Sequence, residues 1–209
     1  NKKKWSKIFS NREELMNDKI KRLFDIVGAL LGMLILFPIF LLISIIQIRF
    51  VGAPIFFKQE RIGRGGRPFQ IYKFRTMVIN NEENGLPLLA EDGDDRLTKI
   101  GSFLRKYHLD ELPQLWNVLI GDMSFVGYRP ERKYFIDKIM ERRPDYAKLY
   151  SIRPGITSMA TIYNGYTFTL DKMIRRLDMD LDYLSNRSLV LDFKIIFLTI
   201  ASIASGKKI

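Results

Sequence analysis

The longest uninterrupted run of apolar positions lies near the start of the chain. Residues Ile26–Ile48 form 23 consecutive positions without a charged side chain. As an α-helix this segment would extend about 35 Å, which exceeds the roughly 30 Å hydrocarbon thickness of a bilayer. The run is too long for a signal peptide, and no small-residue cleavage site follows it. The pattern therefore predicts a membrane helix.

Charge and one proline leave two topologies open for this helix. Basic residues precede the segment between Lys2 and Arg22 and follow it between Arg49 and Arg75. Because basic flanks favour the cytoplasmic side, both ends of the segment are expected on that side. Pro38, near its middle, removes a helix hydrogen bond and clashes with the preceding turn. A re-entrant helix broken at Pro38 satisfies both observations, although a kinked spanning helix is also compatible with the proline.

The rest of the pattern predicts a small hairpin followed by helices. Pro54–Phe74 contains two apolar runs around the stretch Arg61–Pro68, which indicates two strands and a turn. Such a glycine- and arginine-rich stretch is typical of a hairpin turn, and it can also cradle a phosphate. Helical patterns cover Lys99–His108, His108–Leu119, Pro130 to about Arg143, and segments that begin near Thr169 and Val190.

Two further segments have distinctive composition. Leu189–Ala204 is apolar but short and carries Asp192 and Lys194, so it fits an interfacial or core helix better than a membrane span. Asn80–Arg96 is acidic and rich in turn residues, which indicates an exposed loop. The elements together predict an α/β fold that is predominantly helical and contains a small β-hairpin.

Composition narrows the possible chemistry. The 209 residues include no cysteine and one histidine, His108, which excludes disulfides, thiolate metal sites and histidine clusters. Acid–base or nucleophilic chemistry must then use carboxylates, lysines or tyrosines. The net charge of +11 calls for an anionic partner, such as a membrane surface, a phosphorylated substrate or nucleic acid. A membrane-anchored, non-catalytic protein that binds an anionic polymer is one hypothesis consistent with this charge.

Asp110 and Glu111 form an acidic pair just before Pro113, where a helix is expected to begin. The positive end of a helix dipole stabilises anions, either ionised carboxylates or a bound phosphate. One carboxylate can attack phosphorus while its neighbour holds Mg²⁺. Helix capping is the usual role of acidic residues at this position. The dipeptide alone leaves both interpretations open.

A set of motifs extends in order along nearly the whole chain. The central motif is HLDELPQLWNVLIGDMSFVGYRPE at His108–Glu131. The others are KRLFDI at Lys21–Ile26, YKFRTM at Tyr72–Met77, RPGIT at Arg153–Thr157 and LDFKIIFLT at Leu191–Thr199. A long ordered set is more specific than any single short motif. The set resembles the bacterial sugar transferase family, the monotopic polyprenyl-phosphate phosphoglycosyl transferases.

This resemblance implies an enzyme that transfers a phosphosugar from a UDP-sugar to a polyprenyl phosphate, releases UMP and starts assembly of a surface glycan. Asp110 would form a covalent aspartyl-phosphosugar, and Glu111 would help to hold Mg²⁺. Residues 1–50 would be a basic segment and re-entrant helix, and residues 51–209 a cytoplasmic catalytic domain with interfacial helices. The expected location is the bacterial inner membrane, with anionic phospholipid as a partner and no nucleic acid.

Within the matched motifs, basic residues are candidates for binding substrate phosphates. They are Lys73, Arg105, Arg129 and Arg153, and each can alternatively contact lipid headgroups. Asp180, in the acidic stretch LDMDLDYL, is expected either to orient a cation or the sugar or to be a helix-surface carboxylate.

Several aromatic residues and departures from the family pattern complete the expectations. Tyr128, Tyr163 and Tyr166 are candidates for stacking on a uracil or sugar ring, whereas Trp116 has apolar neighbours and is expected in the core. Phe37 stands where many relatives have serine, Tyr128 where proline is usual, and Tyr166 where arginine is usual. The departure at Tyr166 leaves the identity of the sugar open.

Overall fold

The computed structural model describes residues 2–78, 94–165 and 169–205, with side chains from residue 17 onward. Helix α1 spans Lys2–Phe50 and contains Pro38. The sequence predicted a break at Pro38, whereas the helix continues through this residue. A proline removes one backbone hydrogen bond, and the turns on either side can continue the same helix. A bend at Pro38 stays a prediction.

Helix α1 presents one narrow stripe to the rest of the protein. Its buried side chains are Asp25, Ala29, Ile43 and Gln47. Their spacings lie close to whole helical turns, so they share one face. The other faces are apolar and exposed, with Leu34 at 74% exposure. By length and composition Asn17–Phe50 can cross a membrane, and because only 11% of its most apolar window is buried it is not a core helix.

The predicted hairpin is confirmed. Strand β1 (Phe56–Ile62) pairs antiparallel with strand β2 (Pro68–Phe74). A 3₁₀ turn at Arg64–Gly66 connects them, and Gly65 and Gly66 both have a φ of 70°. Glycine adopts this left-handed conformation without steric cost, so the glycine-rich stretch forms the hairpin turn.

A second strand pair was not expected from the sequence. Strand β3 (Ser124–Val126) lies parallel to strand β4 (Gly155–Thr157). The chain between them forms helix α4 (Lys133–Arg142) and a 3₁₀ segment at Pro144–Ser151. Three-residue strands carry too little alternation to be read from a sequence.

The predicted helices are present, with small shifts at their ends. Besides α4, they are α2 (Lys99–Lys106), α3 (Gln114–Ile120), α6 (Leu170–Asn186) and α7 (Leu189–Ala204). A further helix, α5 (Met159–Asn164), was not among the predicted ones, and Ser158 caps it by accepting the backbone N–H of Thr161. Most of the acidic stretch Asn80–Arg96 lies outside the described residues, as does Tyr166.

Helix α7 has one buried face and one exposed apolar face. Asp192 and Ile195 are buried, whereas Phe197 is 71% exposed. The ring of Phe193 packs edge-on against Phe24 of α1, with 5.5 Å between the ring centres. The exposed apolar faces of α1 and α7 therefore adjoin, which supports an interfacial position for α7.

Two small apolar clusters attach α1 to the rest of the protein. One contains Ala29, Ile71, Val118 and Met123, and the other contains Ile43, Phe74 and Leu104. The first cluster joins the N-terminal part of the apolar segment to β2 and α3. The second joins its C-terminal part to β2 and α2. Both parts of the apolar segment thus pack on the same body, at the elements that surround the acidic pair.

Candidate active site

The acidic pair lies in a tight turn immediately before α3. His108 has a left-handed φ of 53°, and Leu109–Glu111 follows as a 3₁₀ turn. Pro113 then leads into α3. A left-handed conformation is strained for a residue other than glycine, and such strain persists where the surroundings hold the chain firmly. The turn places Asp110 and Glu111 at the N-terminal end of α3, as predicted.

Lys73 of β2 lies between the two carboxylates. Its Nζ is 2.5 Å from Oε1 of Glu111 and 3.9 Å from Oδ2 of Asp110. Nη1 of Arg129 lies 3.9 Å from the same Glu111 oxygen. Asp110 itself is only 5% exposed. Two carboxylates and two cations therefore meet in one largely buried cluster.

The environment moves the pKa values of the two carboxyl groups apart. Burial raises the pKa of Asp110 to about 6, and the positive charge of Lys73 limits that rise. Burial also disfavours ionised Glu111, but the charges of Lys73 and Arg129 outweigh it and hold its pKa well below the usual value. Neighbouring carboxyl groups whose pKa values are shifted in opposite directions are typical of catalytic sites. Near pH 7 both are ionised, and Asp110 is the more basic and hence the better nucleophile.

Three of the four predicted cations come together here. Lys73 and Arg129 reach the carboxylates directly. Arg105, in the last turn of α2, lies close enough for its charge to lower the pKa of Asp110. Fixed lysine and arginine side chains offset the charge of phosphate groups. The cluster therefore has the chemistry of a phosphate-handling site.

Arg153 is not part of this cluster. Its Nε donates a hydrogen bond of 2.8 Å to the carbonyl oxygen of Gly121. Gly121 ends α3, at the opposite end of that helix from the acidic pair. Burial and the charges of Arg22 and Arg64 lower the pKa of Arg153. The role of Arg153 in substrate binding stays a prediction. The fold does not place this side chain beside the acidic pair.

Asp180 of α6 connects to the site through Arg129. The Asp180 carboxylate accepts hydrogen bonds from the backbone N–H of Arg129 and from the side chain of Ser158. It is 3% exposed, so the alternative of a helix-surface carboxylate is wrong. Burial raises its pKa to about 7. This geometry positions the backbone that carries Arg129.

A second buried charge cluster, behind Arg129, was missed from the sequence. Oε1 of Glu131 lies 2.8 Å from Nη1 of Arg176, and Oε2 lies 3.5 Å from Nη1 of Arg61. All three side chains are at most 17% exposed. One signal was available, because Arg176 and Asp180 are four residues apart and therefore share one face of α6. The sequence around Arg176 and Asp180 does not indicate that this face of α6 is buried.

The candidate aromatic residues divide by exposure. Tyr128 is fully buried in the core, so its ring cannot stack on a ligand. Tyr163 is 59% exposed and stays a candidate. The prediction of a core position for Trp116 is wrong, since it is 49% exposed. The buried face of α3 carries Asn117 and Val118, which turns Trp116 toward the outside.

The acidic pair can hold Mg²⁺ when substrate oxygens supply further ligands. Within the described ranges there is no group of three or more histidine, cysteine, aspartate or glutamate side chains placed to hold a metal ion. Mg²⁺ in phosphate-transfer sites commonly takes one or two carboxylates and completes its shell with phosphate oxygens and water. Glu111, held ionised by its cations, meets that requirement.

Similar proteins cover most of the chain. The UDP-N-acetylgalactosamine-undecaprenyl-phosphate N-acetylgalactosaminephosphotransferase of Aeromonas hydrophila is 40% identical over 187 residues, covering 90% of this chain and 44% of that protein. The UDP-glucose:undecaprenyl-phosphate glucose-1-phosphate transferase of Caulobacter vibrioides is 43% identical, covering 89% and 70%. An uncharacterized sugar transferase of Bacillus subtilis is 39% identical, covering 88% and 87%. The chain thus spans less than half of the first relative and most of the other two.

A family model described as bacterial sugar transferase matches residues 16–206. The match includes the apolar part of α1, the hairpin and the acidic pair with its cations. It extends over far more than half of the 209 residues. The chain therefore belongs to the bacterial sugar transferase family.

Proposed function

We propose that this chain transfers a sugar phosphate from a UDP-sugar to a polyprenyl phosphate such as undecaprenyl phosphate, through a covalent intermediate on Asp110. One observation carries the proposal most strongly: a buried carboxylate of raised pKa, Asp110, lies beside an ionised Glu111 and the ammonium of Lys73. The family and the activities named for two related transferases agree with transfer of a sugar phosphate from a UDP-sugar to undecaprenyl phosphate. The product would begin the assembly of a surface glycan.

The reaction divides into two displacements at phosphorus. A carboxylate oxygen of Asp110 attacks the β-phosphorus of the UDP-sugar, and the bond from that phosphorus to the bridging oxygen breaks, so that UMP leaves. A phosphate oxygen of the polyprenyl phosphate then attacks the same phosphorus, and the bond to Asp110 breaks. Polyprenyl-diphosphate-sugar leaves, and the Asp110 carboxylate is restored.

Cations of the site are positioned to balance charge during both displacements. Lys73 and Arg129 already face the carboxylates, and Arg105 lies close by. When phosphate oxygens enter, these groups can offset the charge that develops on the departing UMP. Glu111, together with substrate oxygens, would hold Mg²⁺, which supplies further neutralisation of the diphosphate.

A test of the proposed function measures UMP release by the full chain in detergent across a panel of UDP-sugars with polyprenyl phosphate. At least one UDP-sugar is expected to give UMP at a rate that depends on both Mg²⁺ and the acceptor. Chelation of divalent cations should abolish the release, because the diphosphate charge is then left without its metal. No UMP from any UDP-sugar, under conditions where the protein stays folded, would overturn the proposal.

The pH dependence should identify Asp110 as the group that ionises. In single turnovers without acceptor, the second-order rate constant for UMP formation at low UDP-sugar concentration is expected to rise about tenfold per pH unit below pH 6 and to level off above it, since only the carboxylate attacks. Replacing Lys73 by methionine removes a charge that stabilises this carboxylate. The inflection should then move to higher pH, and an unchanged inflection would contradict the assignment.

The contacts of α1 support a re-entrant topology. Near the start of the apolar segment, Asp25 accepts hydrogen bonds from Ser124 and from the backbone of Phe125. Near its end, the side-chain amide of Gln47 donates to the carbonyl oxygen of Arg75. A helix crossing a bilayer would carry these two ends to opposite sides of the membrane. Holding both ends on one catalytic body instead favours one membrane face, and the basic flanks favour the cytoplasmic face of the inner membrane.

Cysteine labelling tests this topology directly, because the sequence has no native cysteine. Lys19→Cys and Arg67→Cys, both at exposed positions, are expected to react with an impermeant maleimide from the same side of sealed vesicles. Leu34→Cys serves as the control, since a position inside the bilayer should resist the impermeant reagent from either side. Labelling of positions 19 and 67 from opposite sides would establish a spanning helix instead.

A further inference from the structure

A second group of cations lies at the C-terminal end of α3. Nη1 and Nη2 of Arg22 donate to the carbonyl oxygens of Val118 and Leu119, at 2.6 and 2.8 Å. Nε of Arg153 donates to the carbonyl oxygen of Gly121 at 2.8 Å. The last carbonyl groups of a helix lack partners within the helix, and basic side chains commonly satisfy them. Helix capping therefore accounts for these three N–H groups.

Capping does not account for the rest of the cluster. Arg153 donates only through Nε to the described part of the chain, which leaves its two terminal nitrogens without a protein acceptor there. Arg64, at the exposed hairpin turn, makes no hydrogen bond or ion pair to any described residue. The charges of Arg22 and Arg64 nevertheless act on Arg153 more strongly than the opposing carboxylates of Asp25 and Asp18. The end of α3 thus holds two guanidinium groups, and the charge of Arg64 is close enough to act on one of them. Such an arrangement favours an anion, and guanidinium groups without a protein acceptor favour a phosphate.

Exposed apolar side chains border this cluster. Leu23, next to Arg22, is 62% exposed, and Ile120, next to Gly121, is 49% exposed. Leu23 belongs to the exposed apolar face of α1, and Ile120 is the last residue of α3. Cations that directly adjoin exposed apolar groups match the boundary between phospholipid headgroups and acyl chains. A soluble phosphate compound would leave Leu23 and Ile120 uncovered.

The cluster is too far from the acidic pair to hold the reacting phosphate. Glu111 and Gly121 are separated by ten residues, nearly all in a 3₁₀ turn or in α3. At about 1.5 Å per residue, this places the two ends roughly 15 Å apart. A phosphate bound by Arg153 is therefore distinct from one attacked by Asp110.

We propose that Arg153, Arg64 and Arg22 form a binding site for the phosphate of an anionic phospholipid. The guanidinium groups bind the phosphate, while the acyl chains cover Leu23 and Ile120. Because two of these arginines are attached to the C-terminal end of α3, the bound lipid sets the depth of that helix in the interface. The acidic pair at the other end of α3 is thereby held at the level where a lipid acceptor presents its own phosphate. The binding site itself does not rest on the transferase reaction.

Thermal unfolding of the full chain in detergent tests this site. Short-chain phosphatidylglycerol is expected to raise the Tm saturably, whereas short-chain phosphatidylcholine and inorganic phosphate should not. Arg64→Gln and Arg153→Gln should each raise the phosphatidylglycerol concentration for half the shift about fivefold, which corresponds to about 1 kcal/mol per arginine. The matched control is Arg142→Gln, an exposed arginine of α4 paired with exposed Asp171, and it should leave that concentration unchanged.

Two outcomes would overturn the proposal. The first is the same phosphatidylglycerol response in both variants and the wild type. The second is an equal, arginine-dependent shift with inorganic phosphate alone, which would assign the cluster to a soluble anion. Arg64 is exposed and makes no hydrogen bond to the described residues, so its replacement should not impair folding. The Arg64 variant therefore keeps the test decisive even if the Arg153 variant is unstable.

Discussion

Replacing Asp110 by asparagine is expected to lower the rate of UMP release by at least about a thousandfold, since removal of a covalent nucleophile usually costs this much or more. The amide is similar in size and can occupy the same turn, but it is neutral and a poor nucleophile at phosphorus. The Tm should not fall, because burial of the Asp110 carboxylate is itself unfavourable, as its raised pKa shows. A large loss of rate with retained stability would separate chemistry from folding.

The matched control is Asp122→Asn, beyond the other end of α3. Among the described residues, Asp122 accepts a single long hydrogen bond of 3.5 Å, from Asn117, and it lies apart from the acidic pair. Its replacement should change the rate less than about twofold, as for surface positions away from special features. If Asp122→Asn and Asp110→Asn lose comparable activity, the assignment of Asp110 fails.

Covalent trapping separates two roles for Asp110. Incubation with a UDP-sugar labelled in the sugar, without acceptor, should attach label to the wild-type chain and not to Asp110→Asn. If Asp110 instead acts as a base or metal ligand in a single displacement, the wild type would turn over with acceptor but carry no label without it. Mass spectrometry of the peptide containing Asp110 distinguishes these cases.

Local patterns suffice for the membrane helix and the hairpin. The apolar run Ile26–Ile48 and the glycines of the turn determine their elements through nearby residues alone. Continuity of α1 through Pro38 could not be predicted in this way. It accompanies packing of Ile43 near Phe74 and a hydrogen bond from Gln47 to the hairpin's end, both contacts between residues distant in sequence.

In the candidate site, too, some features follow from nearby residues and others depend on contacts between residues distant in sequence. The position of Asp110 and Glu111 at a helix start is local, because Pro113 marks that start. Lys73 is 38 residues from Glu111, so no local pattern indicates their contact. The family motif suggested only that Lys73 binds substrate phosphate. The pair between Glu131 and Arg176 spans 45 residues, and no local pattern indicates it.

Breaking that buried pair should have the largest effect on stability. Arg176→Met removes the guanidinium 2.8 Å from the Glu131 carboxylate, which is 8% exposed, and leaves Arg61 at 3.5 Å. Removing one partner of a buried ion pair costs about 3–5 kcal/mol, because the remaining charge is desolvated without compensation. For a chain of this size, a loss of that order lowers the Tm by about 10 °C. Thermal unfolding in detergent measures the change.

A double replacement tests whether the uncompensated charge is the cause. Arg176→Met combined with Glu131→Gln removes both charges, so most of the lost stability should return. The exposed pair Arg142–Asp171 supplies the control, and Arg142→Met should shift the Tm by less than about 2 °C. Equal Tm shifts for Arg176→Met and Arg142→Met would show that the buried ion pair contributes no more to stability than the exposed one.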